Sequence, residues 1–241
     1  SPYITIYDTT TTPYTKLSNP TTLPTDNGRG CAFNHDGTRL TVVYDSSPYI
    51  TIYDTTTTPY TKLSDPTTLP SGDGRGCAFN HDGTILAVAH YTSPYITIYD
   101  TTTTPYTKLS NPTTLPTGTG YGCAFNHDGT RLAVAHDTSP YITIYDTTTT
   151  PYTKLSDPTT LPTDTGRDCA FNHDGTRLAV AHNSSPFITA YGVSSLSYAP
   201  KPFEVGDTLP AGYIKISWDF TGYPMAVDGD FLISSDGDFS I

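Results

Sequence analysis

The chain carries seven histidines and four cysteines, and their spacing decides what they can do. His35, His81, His127 and His173 recur every 46 residues, as do Cys31, Cys77, Cys123 and Cys169, while His90, His136 and His182 keep the same interval. Zinc sites gather Cys and His within a few residues of one another, or bring three or four ligands within about 2.0–2.2 Å of one ion. Equivalent positions of a repeat stand too far apart for that, so no metal and no cofactor is expected. The cysteines read as buried free thiols, because sheets packed about 10 Å apart exceed the roughly 4.4–6.8 Å Cα separation of a disulfide. His35, His81, His127 and His173 read as polar turn residues. No nucleophile has a base nearby in sequence, no glycine-rich phosphate loop occurs, and no carboxylate pair stands out from the Asp-rich turns. No catalytic residue is assigned, and the chain is not expected to be an enzyme.

What positions these residues is a near-verbatim repeat. Ser1-Pro2-Tyr3-Ile4-Thr5-Ile6-Tyr7-Asp8 returns at Ser47, Ser93 and Ser139, and a diverged copy opens with Ser185-Pro186-Phe187-Ile188-Thr189. Near-identical units fold and pack alike, the mark of a repeat architecture. The whole of residues 1–241 reads as one domain.

Within a unit, strand and turn signals alternate. Cys77-Ala78-Phe79 is closed by the turn Asn80-His81-Asp82-Gly83. Ile85 to His90 follows, Ser93-Pro94 interrupts, and Tyr95-Ile96-Thr97-Ile98-Tyr99 alternates with the period of two of a strand. A Thr tract and Pro105 lead to the more polar Tyr106-Thr107-Lys108-Leu109. Four short antiparallel strands are expected, three of them apolar on both faces. Such sheets must be sandwiched between copies of themselves, and radial stacking of four-stranded blades achieves this without long open edges. The predicted fold is an all-β, five-bladed β-propeller. A parallel β-helix has shorter coils and lacks the meander.

The run Cys-Ala-Phe-Asn-His-Asp-Gly-Thr-Arg-Leu-Ala-Val-Ala-His, followed by Pro-Tyr-Ile-Thr-Ile-Tyr-Asp, resembles the "AFSPDGxxLAVA…IxIYD" pattern of WD-repeat and YVTN-like propellers. The resemblance covers residues 1 to about 187. The chain departs from the WD pattern in lacking Gly-His before the first strand and in having Tyr-Asp for Trp-Asp. Near-identical repeats rich in Thr, Tyr, Pro and Gly are similar to propeller segments of phage tail or adhesion proteins. That likeness implies a virion-associated or extracellular, non-enzymatic binding or structural module with multivalent surface recognition. Three rivals follow from other resemblances: a five-bladed tachylectin-like carbohydrate-binding lectin using Tyr121, Arg75 and nearby Asp and His; an intracellular protein-interaction scaffold; and a YVTN-like lactonase.

The chain opens on a third strand, so the first and second strands of that blade must come from elsewhere. Residues 216–218 with 225–227, or in a second register 225–227 with 231–234, can supply them. The N- and C-terminal strands then share one closing blade.

Composition narrows the partners. A formal charge of −11, from 23 acidic against 12 basic residues and without a basic cluster, argues against nucleic acid. No apolar run approaches the roughly 18–20 residues of a membrane span, so no membrane insertion is expected, and the chain reads as soluble. A protein or glycan surface is the expected partner, within a larger assembly in one reading.

Comparing the copies locates the candidate surface. Differences collect just before the first strand and at the end of the second, two stretches that a meander places at the same end of the blade. They would present Arg29, Arg75, Tyr121 and Arg167 beside Tyr44, His90, His136 and His182 near the channel mouth, and loops on a rigid scaffold carry function at low structural cost. The tracts beginning at Thr9, Thr55, Thr101 and Thr147 form a hydroxyl-rich rim on the opposite face, open to O-glycosylation in a secreted protein. Asn183-Ser184-Ser185 is the sole N-glycosylation sequon.

Overall fold

Alternating apolar residues and turn-forming Asn, Asp and Gly leave little for a helix, and none forms among the described residues. The computed structural model describes residues 2–192 together with two short strands near the carboxyl end. Residues 1–193 and 194–241 are two compact units. In the first, β1 (Tyr7–Asp8) pairs with β2 (Thr15–Lys16). Three four-stranded antiparallel meanders follow, each in simple sequence order. They are β3 (Gly28–Phe33), β4 (Arg39–Tyr44), β5 (Ile50–Asp54) and β6 (Thr61–Lys62), then β7 (Gly74–Phe79), β8 (Ile85–His90), β9 (Ile96–Asp100) and β10 (Thr107–Lys108), then β11 (Gly120–Phe125), β12 (Arg131–His136), β13 (Ile142–Asp146) and β14 (Thr153–Lys154). A three-stranded sheet, β15 (Gly166–Phe171), β16 (Arg177–His182) and β17 (Ile188–Gly192), completes the unit. In the second unit β18 (Leu232–Ile233) pairs with β19 (Phe239–Ser240). The expected closing strands at 216–218 and 225–227 lie outside the described residues.

The first strand of each meander starts earlier than the Cys-Ala-Phe run suggests. Gly74 pairs with His90 and Gly76 with Ala89, so Arg75 is the extra residue of a β-bulge. The same bulge falls on Arg29, Tyr121 and Arg167. A bulge leaves one residue outside the ladder and re-aims its side chain.

Packing follows from the second strand, whose two faces are both apolar. In β8, Leu86 and Val88 meet Val43, Ile50 and Ile52 of the preceding sheet, while Ala87 and Ala89 meet Cys123, Leu132 and Val134 of the next. Ala133, Ala135 and Ile142 meet Cys169, Leu178 and Val180 in the same way. Each fully buried Val, Leu or Ile contributes about 1.5–3 kcal/mol. The fourth-strand turns add a polar stitch, with Thr67 N–H donating to Tyr106 O at 3.0 Å and Thr113 N–H to Tyr152 O at 2.9 Å.

Cysteine burial follows position in the array. Cys123 and Cys169 are buried, each thiol 3.6 Å from a second-strand carbonyl of the preceding sheet, Ala87 O and Ala133 O. Cys77 is half-buried with Thr41 O at 4.0 Å, and Cys31 is exposed. The expectation of four buried thiols is therefore corrected at Cys31. Among the described residues, the sheet before it consists of β1 and β2 alone and offers no second-strand carbonyl.

Sheets approach most closely where a glycine precedes the bulge. Tyr49 adopts φ 66°, turning its carbonyl toward Gly74. A Cβ on Gly74 would lie 2.7 Å from that oxygen and 2.6 Å from Val43 Cβ. Gly74→Ala should lower unfolding free energy by about 1–3 kcal/mol through overpacking. Gly129→Ala, where φ is +71° and nothing lies within 4 Å, should lower it by about 1 kcal/mol from backbone conformation alone. Denaturant titration of the two variants checks the order, and a Gly74→Ala variant as stable as wild type contradicts the close approach.

Candidate functional site

Two ends of the sheets carry different chemistry. At one end lie the bulges before the first strand and the link from second to third strand. At the other lie the Asn-His-Asp-Gly turns and the Thr tracts.

The bulge end brings the predicted Arg and Tyr residues together in unlike arrangements. Arg29 donates from Nε to both oxygens of Asp45, at 2.8 and 2.9 Å, and from Nη2 at 2.5 Å. That contact holds the Asp45 carboxyl below its ordinary range. Arg75 reaches the same Asp45 at 3.5 Å from the neighbouring sheet and Asp73 at 3.5 Å within its own. Its guanidinium lies 5.7 Å from the Tyr91 ring centroid. Arg167 stands 4.5 Å over Tyr121 and donates from Nε to Asn183 Oδ1 at 2.8 Å. Tyr91 is 55% exposed. Copy-to-copy comparison marked its stretch as variable, but the residue itself was missed as a candidate. The signal was available, since an aromatic stands at position 91 where the other copies carry Asp45, Asp137 and Asn183.

The other half of the predicted face is corrected. Tyr44, His90, His136 and His182 end the second strands but point into the sheet packing, at 1%, 0%, 0% and 4% exposure. Tyr44 Oη is 2.9 Å from Thr51 Oγ1, and His90, His136 and His182 each place Nε2 2.9 Å from Thr97, Thr143 and Thr189 Oγ1. Strand alternation explains the placement, because each residue shares the inward face of its strand with Leu and Val two and four positions earlier. Burial lowers the imidazole pKa of His90 and His136 to about 4. All three histidines are packing groups tied to a threonine.

The opposite end holds an arrangement the sequence reading did not foresee. His35, His81, His127 and His173, expected as separate turn residues, form one column with ring centroids 4.1, 4.1 and 4.6 Å apart and planes tilted by about 50°. The first strands that precede them lie side by side. A Cβ on Gly30 would be 3.1 Å from Arg75 O of the adjacent strand. Crowding and the neighbouring His35 and His127 hold the His81 imidazole below its ordinary value, opposed by Asp82. Among the described residues no three His, Cys, Asp or Glu converge on a metal position. The Thr tract is only partly free. Thr101 Oγ1 donates to Gly83 O at 2.5 Å, and Asp100 Oδ1 accepts from Thr102 N and Oγ1 at 2.8 and 2.6 Å. Asp146 and Thr148 repeat this clasp.

No family model and no curated protein matches the chain. Among solved structures it is similar to hydrazine synthase from Kuenenia stuttgartiensis, at 16% identity and a TM-score of 0.55, over 71% of this chain and 60% of that one. It is also similar to a proposed 6-phosphogluconolactonase from Bacteroides uniformis, at 14% identity and a TM-score of 0.56, over 74% and 55%. The chain thus spans little more than half the length of either. The likeness is one of fold. It accords with a propeller-like succession of antiparallel sheets, and it carries no activity across at these identities. No helix among the described residues is long and apolar enough to cross a membrane.

The buried histidines make stability depend on pH. With folded pKa values of about 4 against 6.5, the unfolded chain binds more protons between these limits. Their stabilisation is complete above pH 6.5 and is lost as the pH falls to about 4, by about 3 kcal/mol for each of His90 and His136. Denaturation of the His90→Gln/His136→Gln variant should show a correspondingly flatter pH profile across that window. An unchanged slope contradicts the assignment.

Proposed function

We propose that the chain is a non-enzymatic recognition module that engages a protein or glycan surface through the bulge end of its sheets. The observation that carries this reading is the placement of every Arg or Tyr bulge residue, Arg29, Arg75, Tyr121 and Arg167, outside the hydrogen-bonded ladder at one end of the sheets. Differences between near-identical copies collect at that end, and those at the bulge fall outside the ladder. The buried His90, His136 and His182, bonded to threonine, are not offered as bases for catalysis. With a net charge of −11 the partner is not nucleic acid, and the module acts without a cofactor. A virion-associated or extracellular role of the phage tail or adhesion type suits near-identical units, since repeated weak contacts raise avidity without new chemistry.

The same reading completes the fold as a five-bladed, WD-repeat or YVTN-like propeller. In support, Cys31 and Phe33 are exposed where Cys77 and Phe79 pack on a preceding second strand.

Two experiments test these proposals. In a closed ring the Cys31 thiol is covered, so native protein should react with a thiol reagent no faster at Cys31 than at Cys123. Fast modification of Cys31 alone contradicts closure. For recognition, the immobilised chain should retain a glycan or protein from a cell-surface extract, and the Arg29→Ala/Arg167→Ala variant should retain about tenfold less. Thr103→Ala/Thr149→Ala on the opposite rim should match wild type. Equal retention by all three chains, or loss only with the threonine variant, overturns the assignment of the face.

A further inference from the structure

The three bulge arginines differ in how much of their hydrogen-bonding capacity is already used. Arg29 engages Asp45 through Nε and Nη2, and Arg167 engages Asn183 through Nε with its guanidinium over the Tyr121 ring. Arg75 is held more loosely, with its guanidinium 5.7 Å from the Tyr91 ring centroid. Its two contacts to Asp45 and Asp73 are long, at 3.5 Å each, and its buried Nε–H has no partner among the described residues. The Nη groups, held only by these long contacts, keep capacity to donate to a ligand oxygen.

Beside this donor stands a fixed aromatic surface. Tyr91 N–H donates to Asp73 O at 3.0 Å, and Tyr91 O accepts from Thr119 Oγ1 of the next sheet at 3.3 Å. Both backbone groups of Tyr91 are therefore tied, while the ring is open to solvent. Other large exposed apolar side chains among the described residues lie at the two ends of the array, at Tyr3, Tyr7, Tyr14, Phe33, Phe187 and Ile188. Tyr91 alone lies in its interior.

Charge selects the class of ligand. Arg29 and Arg75 face Asp26, Asp45 and Asp73, so acidic groups outnumber basic ones and an anion gains nothing. Carboxylates accept from hydroxyl groups, an unused guanidinium N–H donates to an oxygen, and an aromatic face receives an apolar ring surface. A molecule offering all three is a neutral saccharide. We infer that Tyr91, Arg75 and Asp73 form a binding site for one neutral pyranose, present once in the described array. The proposal rests on the recognition role given above and names the chemistry of one position within that face. The multivalence of the backbone is thereby separated from the valence of the sugar site.

The test is titration of the full chain with glucose, galactose, mannose, N-acetylglucosamine, N-acetylgalactosamine and glucuronate, followed by calorimetry and by the Tyr91 ring resonances. At least one neutral sugar should bind in the millimolar range and more tightly than glucuronate. Tyr91→Ala should weaken it about tenfold or more, Tyr91→Phe should retain most of the affinity, and Thr103→Ala on the opposite rim should bind as wild type. Arg75→Lys, which removes the guanidinium Nη donors while keeping the charge, should weaken binding. No binding by any neutral sugar, preference for glucuronate, or undiminished binding by Tyr91→Ala overturns the site. Each of these results leaves the wider recognition role standing as long as the Arg29→Ala/Arg167→Ala variant still loses its retained partner, so the two failures are told apart.

Discussion

Everything in this molecule depends on sheets that are apolar on both sides. A sheet with one wet face can stand at a surface, but β8 and β12, buried at every residue after a half-buried first, require a neighbour on each flank. Once that requirement is set, the size of the facing residues fixes how near the neighbours come. Alanines at 87, 89, 133 and 135 keep one side of the strand low, and Cys, Leu and Val from the next sheet fill it. The glycines at the strand entrances then let backbones touch where a side chain would not fit.

Close approach at the first strands explains the contrast between the two ends. Whatever follows the first strand is drawn into a crowd, which is why four histidines spaced far apart in sequence meet as a column. Whatever precedes it lies at a bulge and is directed outward. One end is thus locked by its own packing and by the Asp–Thr clasps, while the bulge at the other accepts arginine or tyrosine without disturbing a rung.

The strand order and the boundaries of the second strands were legible in the sequence, because Ile85 to His90 and its equivalents keep an uninterrupted apolar pattern between turn residues. The bulge was hidden, since Gly-Arg-Gly reads as a linker until its partners are seen across the ladder. The direction of His90 and Tyr44 was misjudged for a related reason: variability between copies was taken as exposure, although residues buried against slightly different neighbours vary too. The histidine column could not be read from spacing alone, because it depends on how near adjacent first strands come. That distance is set by glycines whose role emerges only in three dimensions.

The residue that belongs to no rung has a bearing on how such a chain changes over generations. Duplication of a unit copies its packing and its display together, and most later substitutions in the packing are removed because both flanks must still fit. At the bulge no such veto operates. A single base change there can rewrite what one copy shows while its siblings keep the older form, so an array of clones becomes a set of specialists without passing through an unstable intermediate.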